Sequence, residues 1–222
     1  MRKIIVWSRI TMDGVLQAPS GPEEDSSNGF KWGGWSRHYW NELMNNTFGK
    51  VMSTPFDLLL GRRTYEIFAA YGPYQNNAVA ENFNRIHKYV VATTPVDLSW
   101  KNSIQVDKDV VNELKKLKEQ DGPDLLVFGS SRLIQTLLSN HMVDVLHVYT
   151  FPITLGVGQK LFEEGTQAQQ WKLTESVVSI KGVILASYVL DGEVQMDALT
   201  ADEVSKTELA RARREKWGQE NR

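Results

Sequence analysis

Leu58-Leu59-Leu60-Gly61-Arg62-Arg63-Thr64-Tyr65-Glu66 is the stretch that decides how this chain reads. Three leucines mark a short buried strand, glycine ends it, and a helix begins directly with two arginines and a hydroxyl in its first turn. The first amides of a helix lack internal partners and carry the positive end of its dipole. A phosphate placed there meets N–H donors and guanidinium groups together. The spacing therefore predicts a strand over 57–61, a helix after it, and an anion site fitted to a phosphorylated small molecule such as a nucleotide. Taken alone, Arg62 and Arg63 also fit solvated residues near a strand end. The segments around them decide between the two.

Outward from this junction, strand-like and helix-like segments alternate, which predicts an α/β domain on a largely parallel sheet. Strands are expected over 2–10, 88–93, 104–106, 124–128 and 143–151. Two more, 171–180 and 182–190, flank Lys181-Gly182 as a terminal hairpin, so the sheet is mixed. Ser36 is placed to cap a helix whose apolar positions Trp40, Leu43, Met44 and Phe48 recur at helical spacing, with Gly49 as its stop. Val110, Leu114 and Leu117 mark another helix, ended by Gly122-Pro123, and Leu133, Leu137 and Leu138 a third.

Two regions break the alternation. Residues 17–35 carry prolines and glycines that forbid regular structure for nearly twenty positions, and loops of that length are functional lids or disordered segments. Phe30, Trp32 and Trp35 favour a lid, because disordered segments seldom carry aromatics. Residues 191–222 read as a charged helical extension to a domain over 1–190. Thr200 with Glu203 forms a capping box, Leu199 with Val204 the matching staple, and the body through Trp217 has no continuous apolar stripe.

Composition narrows the class. The 222 residues are 41% hydrophobic, enough to bury one sizeable core. With 25 basic against 27 acidic side chains and a net charge of −2, no basic field exists to draw nucleic acid or an anionic membrane surface. Cysteine is absent, which excludes disulfides and thiolate catalysis and fits a reducing cytoplasm. The apolar run Ile4-Ile5-Val6-Trp7 stops at Ser8-Arg9, too short for a signal h-region, and reads as the first strand. No apolar run approaches the roughly 20 residues that cross a bilayer. The histidines at 38, 87, 141 and 147 show no metal-ligand spacing.

Two further segments repeat the chemistry of the first. In Leu125-Leu126-Val127-Phe128-Gly129-Ser130-Ser131-Arg132, an apolar strand runs through a small-residue turn into a helix. It puts free amides, two hydroxyls and a guanidinium on the same sheet edge. In Val91-Ala92-Thr93-Thr94-Pro95 a strand ends in two hydroxyls able to bond a phosphate or ribose, though paired threonines also suit an ordinary strand. Together three strand C-termini line one edge, where open α/β sheets bind ligands. Neither a Walker A sequence nor a G-x-G-x-x-G fingerprint is present.

In their order along the chain, Thr11-Met12-Asp13-Gly14, Leu60-Gly61-Arg62-Arg63-Thr64-Tyr65, Thr93-Thr94 and Phe128-Gly129-Ser130-Ser131-Arg132 resemble the dihydrofolate reductase superfold. Leu155-Gly156-Val157-Gly158-Gln159-Lys160-Leu161-Phe162 narrows the likeness to the C-terminal reductase domain of bifunctional riboflavin-biosynthesis deaminase-reductases and related stand-alone proteins. The resemblance covers about residues 1–190. It implies a three-layer αβα fold with a mixed, mostly parallel sheet, a homodimer, and NADPH as cofactor. Carried over, Gly61, Arg62, Arg63 and Thr64 would hold the pyrophosphate, and Thr93, Thr94 and Arg132 the 2′-phosphate end. Gly129 and Ser130 would approach the cofactor's central portion, with Ser131 adding a hydroxyl.

Departures from the family touch the substrate half. Dihydrofolate reductases carry an acid on the first helix facing the pterin, but Glu42 sits about 200° around the helix from Trp40 and should face solvent. The family's second turn glycine is Ser130, and the aromatic residue that often follows is Ile134. Asp13 is the remaining carboxylate, fitted to a substrate contact or to bonding its own turn. Trp32, Trp35 and Tyr39 are candidates to wall a planar heterocycle, or are ordinary core. The expected function is NADPH-dependent reduction of a small pteridine-like, ribosylaminopyrimidine-like or carbonyl substrate; the alternative is a nucleotide-binding protein without turnover.

Overall fold

The structure, a computed structural model, describes residues 1–196 and 208–220. It divides into two units, Met1–Gly192 and Glu193–Arg222. The first contains strands β1 (Ile4–Thr11), β2 (Phe56–Gly61), β3 (Lys88–Val91), β4 (Ser103–Val106), β5 (Asp124–Val127), β6 (Val145–Phe151), β7 (Trp171–Val178) and β8 (Ile184–Leu190). Its helices are α1 (Glu42–Met52), α2 (Arg62–Tyr71), α3 (Ala78–Arg85), α4 (Val110–Glu119) and α5 (Ser131–Ser139). In the second unit, helix α6 spans Glu208–Glu220, with residues 211–219 exposed and Arg211 paired to Glu215 at 3.3 Å. The expected capping box of Thr200 and Glu203, with its Leu199–Val204 staple, lies outside the described residues.

One eight-stranded sheet runs in the order β4-β3-β2-β5-β1-β6-β8-β7. The first six are parallel, and the β7–β8 hairpin adds the antiparallel edge. Alternation along the strands divides the core in two. Leu59, Val6, Leu125 and Val127 pack with Leu114 of α4 and Leu133 and Leu137 of α5. Leu58, Leu60, Trp7 and Leu126 pack with Met44 of α1, Tyr65 of α2 and Phe83 of α3. The result is the mixed three-layer α/β arrangement expected, with Leu58, Leu59 and Leu60 all fully buried.

Two helices differ from the sequence expectation. α1 is capped by Asn41, whose Oδ1 accepts from the Met44 amide at 3.2 Å, and it runs through Gly49 to Met52. Ser36 cannot cap it. Its buried hydroxyl donates to the Pro19 carbonyl at 2.7 Å and accepts from Arg9 at 3.0 Å. Gly49 fails to stop the helix because Val51 and Met52 still pack on the core, offsetting the modest cost of a helical glycine. α3 has no counterpart in the sequence reading. It is eight residues long, with Asn77 accepting from the Ala80 amide at 3.0 Å and Ala80 and Phe83 turned inward. So short an amphipathic segment owes its helix to packing.

The long segment over 17–35 is irregular, as expected, apart from a turn of 3₁₀ helix at Ser27–Gly29. It is nonetheless tied down. The buried Gln17 amide donates to the Asp25 and Ser27 carbonyls at 3.2 and 3.1 Å, and its Oε1 accepts from the Gln159 amide at 3.1 Å. Trp35 Nε1 donates to the Gln17 carbonyl at 2.8 Å, and Phe30 packs with Val15 and Ala18 in a small core of its own. Among the described residues, no helix is long and apolar enough to cross a membrane.

Candidate functional site

Helices α2 and α5 both start at the C-terminal edge of the sheet, with Gly61 and Ser130 as N-cap residues and no side chain capping either. Where α1 and α3 begin, asparagine side chains close the first turn. At α2 and α5 those donors stay free, so two positive helix ends are presented side by side.

Glycine makes their contact possible. The Gly61 amide donates to the Gly129 carbonyl at 3.0 Å. A Cβ on Gly61 would lie 2.9 Å from the Ser130 backbone nitrogen, and one on Gly129, whose φ is +155°, would lie 2.7 Å from Thr64 Oγ1. Only residues without a Cβ let the β2–α2 and β5–α5 junctions close on each other.

The two junctions form the floor of a cavity of about 730 Å³ that spans the ends of β3, β2, β5 and β1. Gly61, Arg62, Arg63 and Thr64 line it, as do Thr93, Thr94, Gly129, Ser130, Ser131 and Arg132. The structure thus brings all ten residues assigned to the cofactor into one space. Arg62 donates to Thr94 Oγ1 at 2.9 Å, joining the β2 and β3 ends, and stands 3.7 Å from Glu66. Arg63 is 3.6 Å from the largely buried Asp25, so the 17–35 segment is tied to the first turn of α2. Ser131 donates to Gln159 Oε1 at 2.6 Å and anchors the segment after β6.

The four residues assigned to substrate lie elsewhere. None of Asp13, Trp32, Trp35 and Tyr39 lines this cavity. The Asp13 carboxylate accepts from Thr11 Oγ1 at 2.5 Å, Gly156 N at 2.7 Å and Leu155 N at 3.2 Å. Desolvation pushes its carboxyl up, but the bonds from Thr11, Gly156 and Leu155 outweigh it and hold it below the ordinary value of 3.8. It buckles the end of β1 to the 155–156 turn, the structural use of a turn aspartate. Trp35 and Tyr39 pack edge-on against Phe151 at 5.2 and 5.7 Å, while Trp32 is 55% exposed. Glu42 is exposed, as its helical angle predicts.

The β1 end of the cavity is walled instead by Trp7, Ser8, Arg9 and Phe128, with Gln159 nearby. Trp7 meets Phe128 edge-on at 5.5 Å and Phe48 at 4.7 Å. Sequence reasoning passed over these residues because Trp7 looked like one more member of an apolar strand. The available signal was Arg9, a cation only two positions before the end of a buried central strand. Burial lowers its pKa to about 10, Glu24 opposing in part, so it remains a cation at neutral pH. Glu24 and Asp25 are the acids lining the cavity, and both are engaged. Glu24 accepts from the Ser20 and Gly21 amides at 2.5 and 3.1 Å, and Asp25 from the Ser27 amide at 3.0 Å.

This architecture recurs in known proteins. The Bacillus subtilis (strain 168) protein YyaP, itself uncharacterized, is 24% identical over 198 residues, covering 86% of this chain and 96% of its own. A crystal structure from Shewanella sp. PV-4, of a protein provisionally assigned to riboflavin biosynthesis, shares the fold with a TM-score of 0.60 at 18% identity. It covers 85% of this chain and 99% of that one. Dihydrofolate reductase from Enterococcus faecalis, complexed with NADP(H) and the ligand RAB-propyl, gives 0.54 at 16% identity, over 85% and 96%. Residues 2–185 match the family model of the RibD C-terminal domain, nearly the whole first unit, and the chain therefore belongs to the RibD C-terminal domain family.

Proposed function

We propose that this protein is an NADPH-dependent reductase of a small heterocyclic substrate, pteridine-like or ribosylaminopyrimidine-like, or of a carbonyl compound. The observation that carries the reading is the pair of uncapped helix starts, α2 and α5, locked together by Gly61 and Gly129 beneath three arginines. Such a floor suits a pyrophosphate, since both N-termini point free amides at one place. Arg62, Arg63 and Thr64 would hold the pyrophosphate. Thr93, Thr94 and Arg132 would hold the 2′-phosphate, and Gly129, Ser130 and Ser131 would pass the chain of the cofactor toward Trp7 and Phe128. When bound, the nicotinamide supplies a hydride, and the protein orients and desolvates the reactants. The fold shared with a dihydrofolate reductase complexed with NADP(H) supports this reading, as does the family.

A second reading, a nucleotide-binding protein without turnover, draws on one observation. Glu42 is exposed and both carboxylates of the cavity are engaged, so no free side-chain acid faces the substrate end among the described residues.

Titration with NADPH and NADH, followed by tryptophan fluorescence, tests the assignment. Two hydrogen bonds to the 2′-phosphate, at about 1.5–3 kcal/mol each, favour NADPH by tens-fold or more. Arg132→Ala is expected to weaken NADPH by about tenfold or more and NADH much less. Equal loss for both nucleotides overturns the 2′-phosphate role, and absence of saturable binding overturns the cofactor. NADPH that binds but is oxidised by no pterin, ribosylaminopyrimidine, flavin or quinone favours the second reading. The family likeness also carries the expectation of a homodimer, which light scattering in solution decides.

A further inference from the structure

Both arginines assigned to the pyrophosphate already face an acid of this chain. Arg62 stands 3.7 Å from Glu66, one turn along its own helix, and both side chains are well exposed. That pair parts by side-chain rotation alone. Arg63 is different. Its acid, Asp25, lies 3.6 Å away and comes from the 17–35 segment, and only 10% of that side chain is exposed against 53% of Arg63. Asp25 lines the cavity and brings a negative charge to the first turn of α2, a helix whose N-cap, Gly61, makes no side-chain cap. An anion from a distant segment thus stands where a phosphate is favoured.

The contact is loose. At 3.6 Å it is an ion pair and not a hydrogen bond, whereas Oδ1 of the same carboxylate accepts from the Ser27 amide at 3.0 Å. A phosphate bonds a guanidinium at about 2.7–2.9 Å with charge assistance, and so outcompetes it. Asp25 cannot simply turn aside, because it is buried, tied to Ser27, and held through its carbonyl by the Gln17 amide at 3.2 Å. Two negative groups on one guanidinium repel each other, so a phosphate seated on Arg63 pushes on the backbone that carries Asp25. Ala18 and Asn28 bracket that backbone at φ of +46° and +55°, left-handed values that residues with a Cβ seldom adopt. The stretch between them is therefore held by its contacts more than by backbone preference. Glu24, the neighbouring acid in the same wall, serves another cation: its charge acts on Arg9, and its Oε2 accepts from the Ser20 and Gly21 amides.

Resting on the cofactor reading above, we propose that Asp25 is a built-in competitor for the pyrophosphate, clasping the 17–35 segment to Arg63 until a phosphate takes that guanidinium and releases the segment. Asp25 is thus a brake on nucleotide entry. Removing its charge raises affinity, where removing a supporting residue lowers it.

Asp25→Asn keeps an acceptor for the Ser27 amide and removes the charge. In calorimetric titrations it is expected to bind inorganic pyrophosphate and NADPH about threefold or more tighter than the wild type, the scale of one partly exposed ion pair. Peptide-resolved hydrogen exchange over residues 20–30, without ligand, should be faster by a similar factor of about three or more. Glu24→Gln, which removes the neighbouring charge and leaves the clasp, should fall short of both gains. In the wild type, saturating pyrophosphate should itself speed exchange over 20–30, which tests the clasp even if Asp25→Asn does not fold. Affinity unchanged or weakened in Asp25→Asn, exchange that fails to rise in either case, a gain as large in Glu24→Gln, or no pyrophosphate binding by any of the three proteins overturns the clasp. Pyrophosphate bound more tightly by Asp25→Asn with no NADPH binding upholds the clasp and removes the cofactor reading. NADPH bound alike by all three proteins upholds the cofactor and removes the clasp.

Discussion

Replacing Gly61 with alanine adds one methyl group at the contact between the two helix starts. That Cβ would collide with Ser130 Oγ and lie 2.9 Å from the Ser130 backbone nitrogen and 3.1 Å from Ser130 Cβ. The hydroxyl can rotate away, but the backbone nitrogen cannot, and it is about half an ångström inside the 3.4 Å where ordinary contact begins. The junctions must separate, stretching the 3.0 Å bond from the Gly61 amide to the Gly129 carbonyl. Overpacking of this kind costs about 1–3 kcal/mol, and weakening a buried backbone hydrogen bond adds about 0.5–1.5 kcal/mol. Gly61→Ala should therefore lower stability by about 1.5–4.5 kcal/mol, and Tm by several degrees for a chain of this size. The same substitution at Gly49 is the internal control. There, inside α1, a Cβ meets nothing within 4 Å, so alanine should add up to about 1 kcal/mol through helix propensity alone. Urea unfolding followed by circular dichroism reads both, and NADPH titration of Gly61→Ala should show weakened binding beyond the stability loss. Gly61→Ala within about 0.5 kcal/mol of wild type, the range of an ordinary surface substitution, with unchanged binding, would refute the claim that this contact builds the site.

Two more outcomes follow from buried charge. Lys88 is fully buried, donates to the Phe83 and Ile86 carbonyls at 2.5 and 2.9 Å, and has a pKa pushed from 10.5 to about 8 by desolvation, Asp57 opposing. The folded state sheds this proton before the unfolded one. Stability should thus rise from about pH 8 to 10, by up to about 1.4 kcal/mol per pH unit, with the rise absent in Lys88→Met. Above pH 10 the buried Tyr149 hydroxyl, raised to about 12, turns the trend downward. A wild-type profile parallel to that of Lys88→Met would sink the assignment. At the acid end, Asp13 sits below its ordinary 3.8, so its contribution is full above that pH and is lost as acid carries the folded carboxyl through its lowered value. Asp13→Asn should already lack it at pH 7, with NADPH affinity unchanged, since Asp13 ties β1 to the 155–156 turn; a selective loss of nucleotide binding would return it to the ligand site.

The order of elements and the phosphate-compatible junctions were legible from the chain because their causes are local. Apolar periodicity, a glycine at a strand end, and arginine or serine in a first helical turn act over fewer than ten residues. All ten residues assigned to the cofactor accordingly meet in one cavity. That Gly61 and Gly129 touch is a tertiary fact, since it depends on β2 pairing with β5 across a chain separation that no local pattern encodes. The substrate end was the least legible for the same reason. Which aromatic and which charged residue face the cavity depends on how residues 17–35 fold back, and that is settled by Gln17, Trp35 and Asp25 bonding to distant partners. Asp13 and Arg9 illustrate the exchange: both are charged residues near the end of one strand, so sequence could not rank them. Only the packed structure gives Asp13 its backbone partners and sets Arg9 among Ser20, Ser36 and two indoles in the cavity wall.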